Sequence, residues 1–253
     1  MTSKQGTLKL YKNKGETPLE CIKRFKNDNP EYKDEKMTYA GRLDPLAEGL
    51  LLVLVGEECK NKDKYLGLDK EYEVDFLLGF STDTYDILGK VIEIFNKTTF
   101  VPAKMATQNI LNSFVGKFSQ KYPPYSSKTL NGKPLFEYAK EGSLDSEEIP
   151  EKEVEIKKIE ILDYKNIKKN DLEKYIKESI ALVSGDFRQE EIIESWEKSL
   201  EKSPLKEYVI ISVRVFCTSG TYMRSLANSF GLKFDIPALA FNIKRLKIGD
   251  FKL

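Results

Sequence analysis

The sequence predicts an α+β fold, and three observations carry that prediction. Segments alternating apolar and polar residues with a period of two are interleaved with segments of helical spacing. An apolar fraction of 40% with 32% charged residues, 15 Gly and 10 Pro belongs to a packed chain, not a disordered one. At 253 residues the chain is long enough for one large domain or two small ones.

The elements follow in order. Thr7 to Lys12 alternates like a strand. Thr17-Pro18-Leu19-Glu20 reads as a helix start, with Thr17 as N-cap, Pro18 at the first helical position and Glu20 closing a capping box. Leu19, Ile22 and Phe25 then recur at helical spacing. Leu50 to Val55, between Gly49 and Gly56, predicts a buried strand. Glu71–Leu78 and Lys90–Phe95 alternate and predict two strands paired with each other, joined by a long connection from Gly79 to Gly89. Ala103 to Val115 predicts a helix, and Val209, Ile211, Val213 and Val215 alternate as a further strand. Gly220 to Gly231 predicts a helix with a glycine at each end.

Asn166 to Glu207 differs in kind. It carries two Glu/Lys-rich helical patterns separated by Ser184-Gly185-Asp186, with no strand signal, and Ser203-Pro204 closes it. With nine basic and ten acidic residues, 165–207 is near neutral and predicts a solvated helical hairpin with a packing role, inserted into the α+β sheet. Within it Phe187, Arg188, Gln189 and Trp196 are the residues suited to a supplementary contact, and Gly185-Asp186-Phe187-Arg188-Gln189 is the stretch able to lie against a functional face.

Composition excludes much chemistry. There is no histidine, so Ser-His-Asp and Cys-His catalysis, HExxH zinc sites and histidine relays are impossible. Cys21, Cys59 and Cys217 are odd in number and scattered, which argues against disulfides or a metal site. No Walker loop or GxGxxG supports a nucleotide cofactor. The longest apolar run, Leu50 to Val55, is far short of the roughly 20 residues a membrane span needs. Met1 to Gly15 is polar and lysine-rich, unlike a secretory signal, so a cytoplasmic chain is expected.

The net charge of +1 conceals segregation. Lys104 to Phe136 holds five lysines and no acid, and Val209 to Leu253 holds seven Lys or Arg against two acids. Glu137 to Asp163 carries ten acids and four lysines. Such a distribution suits one positive face presented to a polyanion.

The stretch Tyr39-Ala40-Gly41-Arg42-Leu43-Asp44-Pro45-Leu46-Ala47-Glu48-Gly49-Leu50 is the most informative. Pro45 disfavours helical geometry for Asp44 and so sets its carboxylate on an extended loop beside a buried strand. By chemistry alone Asp before Pro is an ordinary turn residue more often than a catalytic one.

GRLDPLAEGLLLVLVGEECK resembles the signature of TruB-type pseudouridine synthases. Three further blocks resemble theirs in order: KEYEV from Lys70 with LGFSTDTYD from Leu78, YPPYSSK from Tyr122 with GKPLFEYA from Gly132, and CTSGTYMRSLA from Cys217. The resemblance covers about Lys9 to Asp163 and Tyr208 to Leu253. It implies a pseudouridine synthase fold, with a mixed, mostly antiparallel sheet flanked by helices and the 165–207 insertion within a single catalytic domain spanning 1–253. It implies conversion of uridine 55 in the T arm of tRNA to pseudouridine, with no cofactor and no metal, by a monomer. The chain stops at Leu253, where the resemblance implies the catalytic domain ends, so no separate C-terminal PUA-type RNA-binding domain is expected.

The site residues the resemblance implies are Asp44 as catalytic carboxylate, Arg224 as its ion-pair partner and Tyr72 as the tyrosine stacking on a flipped uridine. It also implies substrate-binding roles for Tyr222, Tyr39, Arg42, Lys12 and Lys128. Three positions depart from the family: Tyr11-Lys12-Asn13 stands for its Asp-Lys-Pro, Tyr39 for its histidine, and Arg42 gives the RLD of the sister RluA and RsuA families. The chemistry agrees, since breaking a glycosidic bond needs a carboxylate beside the anomeric carbon and neither histidine nor metal. A synthase with another RNA target and a catalytically idle tRNA-folding chaperone are the alternatives.

Overall fold

The structure is a computed structural model that describes residues 5–99, 102–144 and 149–253. Residues 1–4 of the lysine-rich N-terminal stretch and 145–148 of the acidic stretch lie outside the described residues.

The strands are β1 (Gly6–Lys12), β2 (Met37–Ala40), β3 (Glu48–Val55), β4 (Lys70–Leu78), β5 (Phe80–Thr82), β6 (Val91–Ile94) and β7 (Gly116–Lys121). They continue with β8 (Thr129–Leu130), β9 (Lys133–Pro134), β10 (Glu151–Lys168), β11 (Glu207–Cys217), β12 (Ala238–Ile248) and β13 (Phe251–Lys252). The helices are α1 (Pro18–Asp28), α2 (Lys62–Leu66), α3 (Lys104–Asn112), α4 (Leu135–Glu141), α5 (Lys169–Ala181), α6 (Gln189–Lys202) and α7 (Met223–Phe234).

One large sheet runs β1-β3-β12-β4-β11-β10-β7, with β2 added on β3 and β13 on β12. Its neighbours are antiparallel except β3 and β12, which meet in parallel at Glu48–Lys244 and Gly49–Arg245. The mixed, mostly antiparallel sheet with flanking helices is the one expected. Gly49 is required there: at φ +106° a side chain would lie 2.3 Å from the Arg245 carbonyl. β3 is buried on both faces, which explains its unbroken apolar run. Leu50, Leu52 and Leu54 pack with Ile248, while Leu51 and Val53 pack with Cys21 and Ile22 of α1. The capping box forms as predicted, Glu20 N–H donating to Thr17 Oγ1 at 3.2 Å and Thr17 N–H to Glu20 Oε2 at 2.7 Å.

Two expectations are corrected. β4 does not pair with the 90–95 strand: it sits in the sheet centre between β11 and β12, and β6 closes a small hairpin with β5. Alternation marks a half-buried strand but carries no information about its partner. Gly231 does not end a helix. It lies inside α7, where a Cβ would meet the Ile236 carbonyl at 2.6 Å, and the left-handed end residue is Asp235. The inserted hairpin has the packing role expected of it: Leu172, Ile176, Ile180, Ile192, Trp196 and Leu200 join the main core with Phe80 and Tyr208. Its helices leave from the β10–β11 turn, where Lys168 pairs with Glu207, so β10 runs two residues past Asn166.

Candidate active site

The loop between β2 and β3 carries Asp44 and is held from behind by two buried cations. Lys12 Nζ donates to the carbonyls of Ala47 (2.6 Å), Pro45 (3.0 Å) and Asn13 (3.1 Å). Arg245 donates from Nε to Leu50 O at 2.8 Å, from Nη2 to Gly41 O at 3.1 Å and from Nη1 to Arg42 O at 3.2 Å. Gly15 N–H adds a bond to Pro45 O at 2.9 Å. The cost of burying Lys12 is visible in its pKa, lowered to about 8 by desolvation.

This loop forms one side of a cavity of about 470 Å³, inside the range of roughly 300–1,000 Å³ usual for small-ligand sites. At its base Arg224, from the first turn of α7, grips Asp44 with two donors: Nε to Oδ2 at 2.8 Å and Nη2 to Oδ1 at 3.1 Å. The carboxylate side chain keeps 30% of its surface exposed and the guanidinium 4%. Arg224 completes its bonding on the carbonyls of Thr84 (2.8 Å) and Tyr125 (3.2 Å). Burial works against its charge, but the Asp44 and Asp86 carboxylates outweigh that and hold it protonated.

Tyr72, on β4 opposite Val215 and Arg245, is buried and faces the cavity, its hydroxyl pKa raised first by burial. Tyr222 lines the cavity and packs edge-on against Tyr122 at 5.5 Å, and burial pushes its hydroxyl to about 12. Arg42 lines the rim, exposed. Three expected residues do not reach the cavity lining. Lys12 acts on the loop backbone, as above. Tyr39 packs on the α1 side of the sheet with Cys21 and Ile22, and Lys62 Nζ lies 5.3 Å from its ring. Lys128 is exposed, its ammonium 5.6 Å from the Tyr122 ring. Trp196, grouped with the loop residues, is core: Nε1 donates to Ile87 O at 3.2 Å and the ring meets Phe80 edge-on at 5.1 Å.

Sequence reasoning missed Asp86 and Arg245. Asp86 Oδ2 lies 3.7 Å from Arg224 Nε, while its Oδ1 accepts from Thr84 Oγ1 (2.7 Å) and Leu88 N–H (2.9 Å). Burial raises it to about 6, opposed by Arg224 and aided by Asp44. It stands in the LGFSTDTYD block, the one signal that pointed to it. Arg245 reads in sequence as one more surface cation in the basic C-terminal stretch. Among the described residues no group of three or more His, Cys, Asp or Glu is placed to hold a metal ion, and no helix is long and apolar enough to cross a membrane.

With this geometry in place, the comparisons with known proteins are decisive about family. The model of the TruB family pseudouridylate synthase N-terminal domain matches residues 30–182. The chain belongs to the TruB family. It is 31% identical over 251 residues to tRNA pseudouridine synthase B of Limosilactobacillus reuteri, covering 98% of this chain and 68% of that one. It is 29% identical over 248 residues to tRNA pseudouridine synthase B of Aquifex aeolicus, covering 98% and 70%. This TruB-family chain thus spans about two thirds of the length of these curated relatives. Among solved structures, it superposes on a chain from the crystal structure of a Cbf5-Nop10-Gar1 complex with a TM-score of 0.59 at 19% identity. That match covers 98% of this chain and 50% of the other, and it establishes the fold.

Proposed function

We propose that this TruB-family chain converts uridine to pseudouridine in the T arm of tRNA, at position 55, with Asp44 as the catalytic carboxylate. The observation that carries the reading is the two-point Asp44–Arg224 pair at the base of a nucleoside-sized cavity. The reaction breaks the C1′–N1 bond of uridine, turns the uracil and forms a C1′–C5 bond. N1 gains a proton and C5 loses one, so the product is an isomer and no oxidant, reductant or co-substrate is consumed.

In this reading the target uridine flips into the cavity and its base stacks on Tyr72. Arg224 holds the Asp44 carboxylate in one orientation after water has left, leaving its exposed edge toward the sugar or the base. Tyr222 and Arg42 meet the nucleotide and its phosphates at the mouth.

The test is tritium release from an unmodified tRNA transcript labelled at uracil C5. Asp44→Asn should abolish release while leaving transcript binding within about threefold, because one oxygen is exchanged with little change of shape. Release at the wild-type rate would remove Asp44 from the role. A different RNA target is the second reading, favoured by Arg42, and release from ribosomal RNA fragments but not from tRNA would select it.

A further inference from the structure

The inserted hairpin ends in the cavity. Asp186, Phe187 and Arg188, between α5 and α6, line it together with Tyr125 and Phe136. Most of the hairpin's packing is carried by residues from Leu172 to Leu200 outside this tip, and Phe187, half-buried, packs against the same core while lining the cavity. The tip is also tied down by hydrogen bonds. Phe187 N–H donates to Gln189 Oε1 at 2.9 Å, and Gln189 Nε2 donates to Gly185 O at 2.7 Å and Val183 O at 3.1 Å. Arg188 is held in the left-handed region at φ +61°, a conformation that persists in a bulky residue only where its surroundings impose it.

Those surroundings belong to the catalytic cavity. Arg188 Nη1 donates to Asp83 Oδ2 at 2.8 Å, and its guanidinium carbon lies 4.3 Å from the Tyr125 ring centroid. Asp186 faces Lys140 of α4 at 3.8 Å. Tyr125 and Thr84, the residue after Asp83, are the two whose carbonyls complete the bonding of Arg224. The tip therefore leans on both backbone segments that steady the arginine gripping Asp44. It also adds a half-buried aromatic and a cation to a cavity already lined by Tyr72, Tyr125, Phe136 and Tyr222. Aromatic faces interleaved with cations are what unstacked nucleotides bind.

We propose that the tip of the inserted hairpin is a substrate-contacting wall of the active site: Phe187 packs on a nucleotide base of the RNA, and Arg188 is a positioning residue that fixes Tyr125 and the Asp83–Thr84 turn against Arg224. This rests on the RNA-modifying reading above.

The test uses full-length protein, an unmodified tRNA transcript and tritium release, with circular dichroism and thermal midpoints as fold controls. Phe187→Leu keeps the apolar volume and should fold. It should bind transcript roughly five- to hundredfold more weakly, with KM raised to match and kcat nearly unchanged, and Phe187→Trp should restore binding. Arg188→Ala should lower kcat at saturating RNA by tenfold or more with little change in KM, and Arg188→Lys, which keeps the charge toward Asp83, should recover part of it. Wild-type KM in folded Phe187→Leu would overturn the contact. Wild-type kcat in folded Arg188→Ala, or in Arg188→Gln should the alanine variant not fold, would overturn the positioning role. A wild-type chain that releases no tritium from any RNA would overturn the functional reading instead, and the transcript affinities of wild type and Phe187→Leu would still decide the wall.

Discussion

The two sides of the cavity are built differently. The Asp44 side is a loop whose backbone carbonyls are held by the buried cations Lys12 and Arg245, at 0% and 1% exposure. The opposite side, Tyr125 with the hairpin tip, is held by ion pairs nearer to water: Arg188–Asp83 at 16% and 23% side-chain exposure, and Lys140–Asp186 at 41% and 87%. A buried cation whose every nitrogen donates to a backbone carbonyl fixes that backbone in one place, since any departure leaves carbonyls unpaired in the interior. An exposed pair such as Lys140–Asp186 exchanges its partners for solvent cheaply. The first side is fixed throughout, the second is fixed at Arg188 and able to yield at its outer edge, and Arg224 joins them by reaching Asp44 on one and Thr84 and Tyr125 on the other.

Removing that joint is the severest way to break the arrangement. Arg224→Lys keeps a positive charge but cannot span both Asp44 oxygens and two carbonyls from one planar group. Turnover should fall by about a hundredfold or more, in line with the loss of a preorganised donor at a reacting centre. Tritium release at saturating transcript measures it, and activity within tenfold of wild type would show that charge alone suffices.

Stability should separate the two sides next. Lys12→Met leaves the buried carbonyl of Ala47 without its donor and that of Pro45 with Gly15 N–H alone, at roughly 1–3 kcal/mol for a buried group left unpaired. Asp186→Ala removes an exposed pair and should change stability by less than about 1 kcal/mol. Urea unfolding at neutral pH compares them. Equal midpoints would erase the distinction between a fixed and a yielding side.

The contrast also explains what could be seen in advance. The Asp44 loop was legible because its parts are contiguous: Gly41, Asp44-Pro45, Gly49 and the apolar run of β3 state a turn into a buried strand within fifteen residues. The second side depends on Arg188 meeting Asp83 across 105 positions, and no local pattern encodes such a meeting. Phe187 and Arg188 could be marked as unusual without showing what they touch. β10 was missed because its charges mask its few inward residues, Val154, Ile156 and Ile159, in an 18-residue strand. β12 was missed because Lys244 and Arg245 interrupt its alternation, although Arg245 proves fully buried. Buried cations look like surface cations until the carbonyls they serve are in place.

A smaller effect tests the floor that both sides share. Tyr72→Phe keeps the ring and should leave affinity near wild type. Tyr72→Leu loses the flat face and should weaken transcript binding by roughly five- to hundredfold, the worth of one base–aromatic stack. Anisotropy titrations in the Asp44→Asn background isolate binding from turnover, and equal affinity of the Leu and Phe variants would refute stacking.

The smallest expected effect lies at Asp86, in the seam beside Arg224. Its carboxyl is raised from 3.8 to about 6 in the folded chain, chiefly by burial, with Arg224 opposing and Asp44 adding to the rise. Between those values the folded state binds a proton that the unfolded state has released. This group therefore adds stability as pH falls from about 6 toward 4, and withdraws it as pH rises back through 6. Other carboxylates held low by partners, such as Glu16 beside Arg24, act in the opposite direction, so the whole protein hides the effect. The difference between wild type and Asp86→Asn removes them, because they are common to both. Urea midpoints at pH 4.5, 5.5 and 7 should show wild type gaining on the variant as the pH drops. A constant difference across that range would mean Asp86 keeps an ordinary carboxylate titration, and that the proximity of Arg224 at 3.7 Å fully offsets its burial.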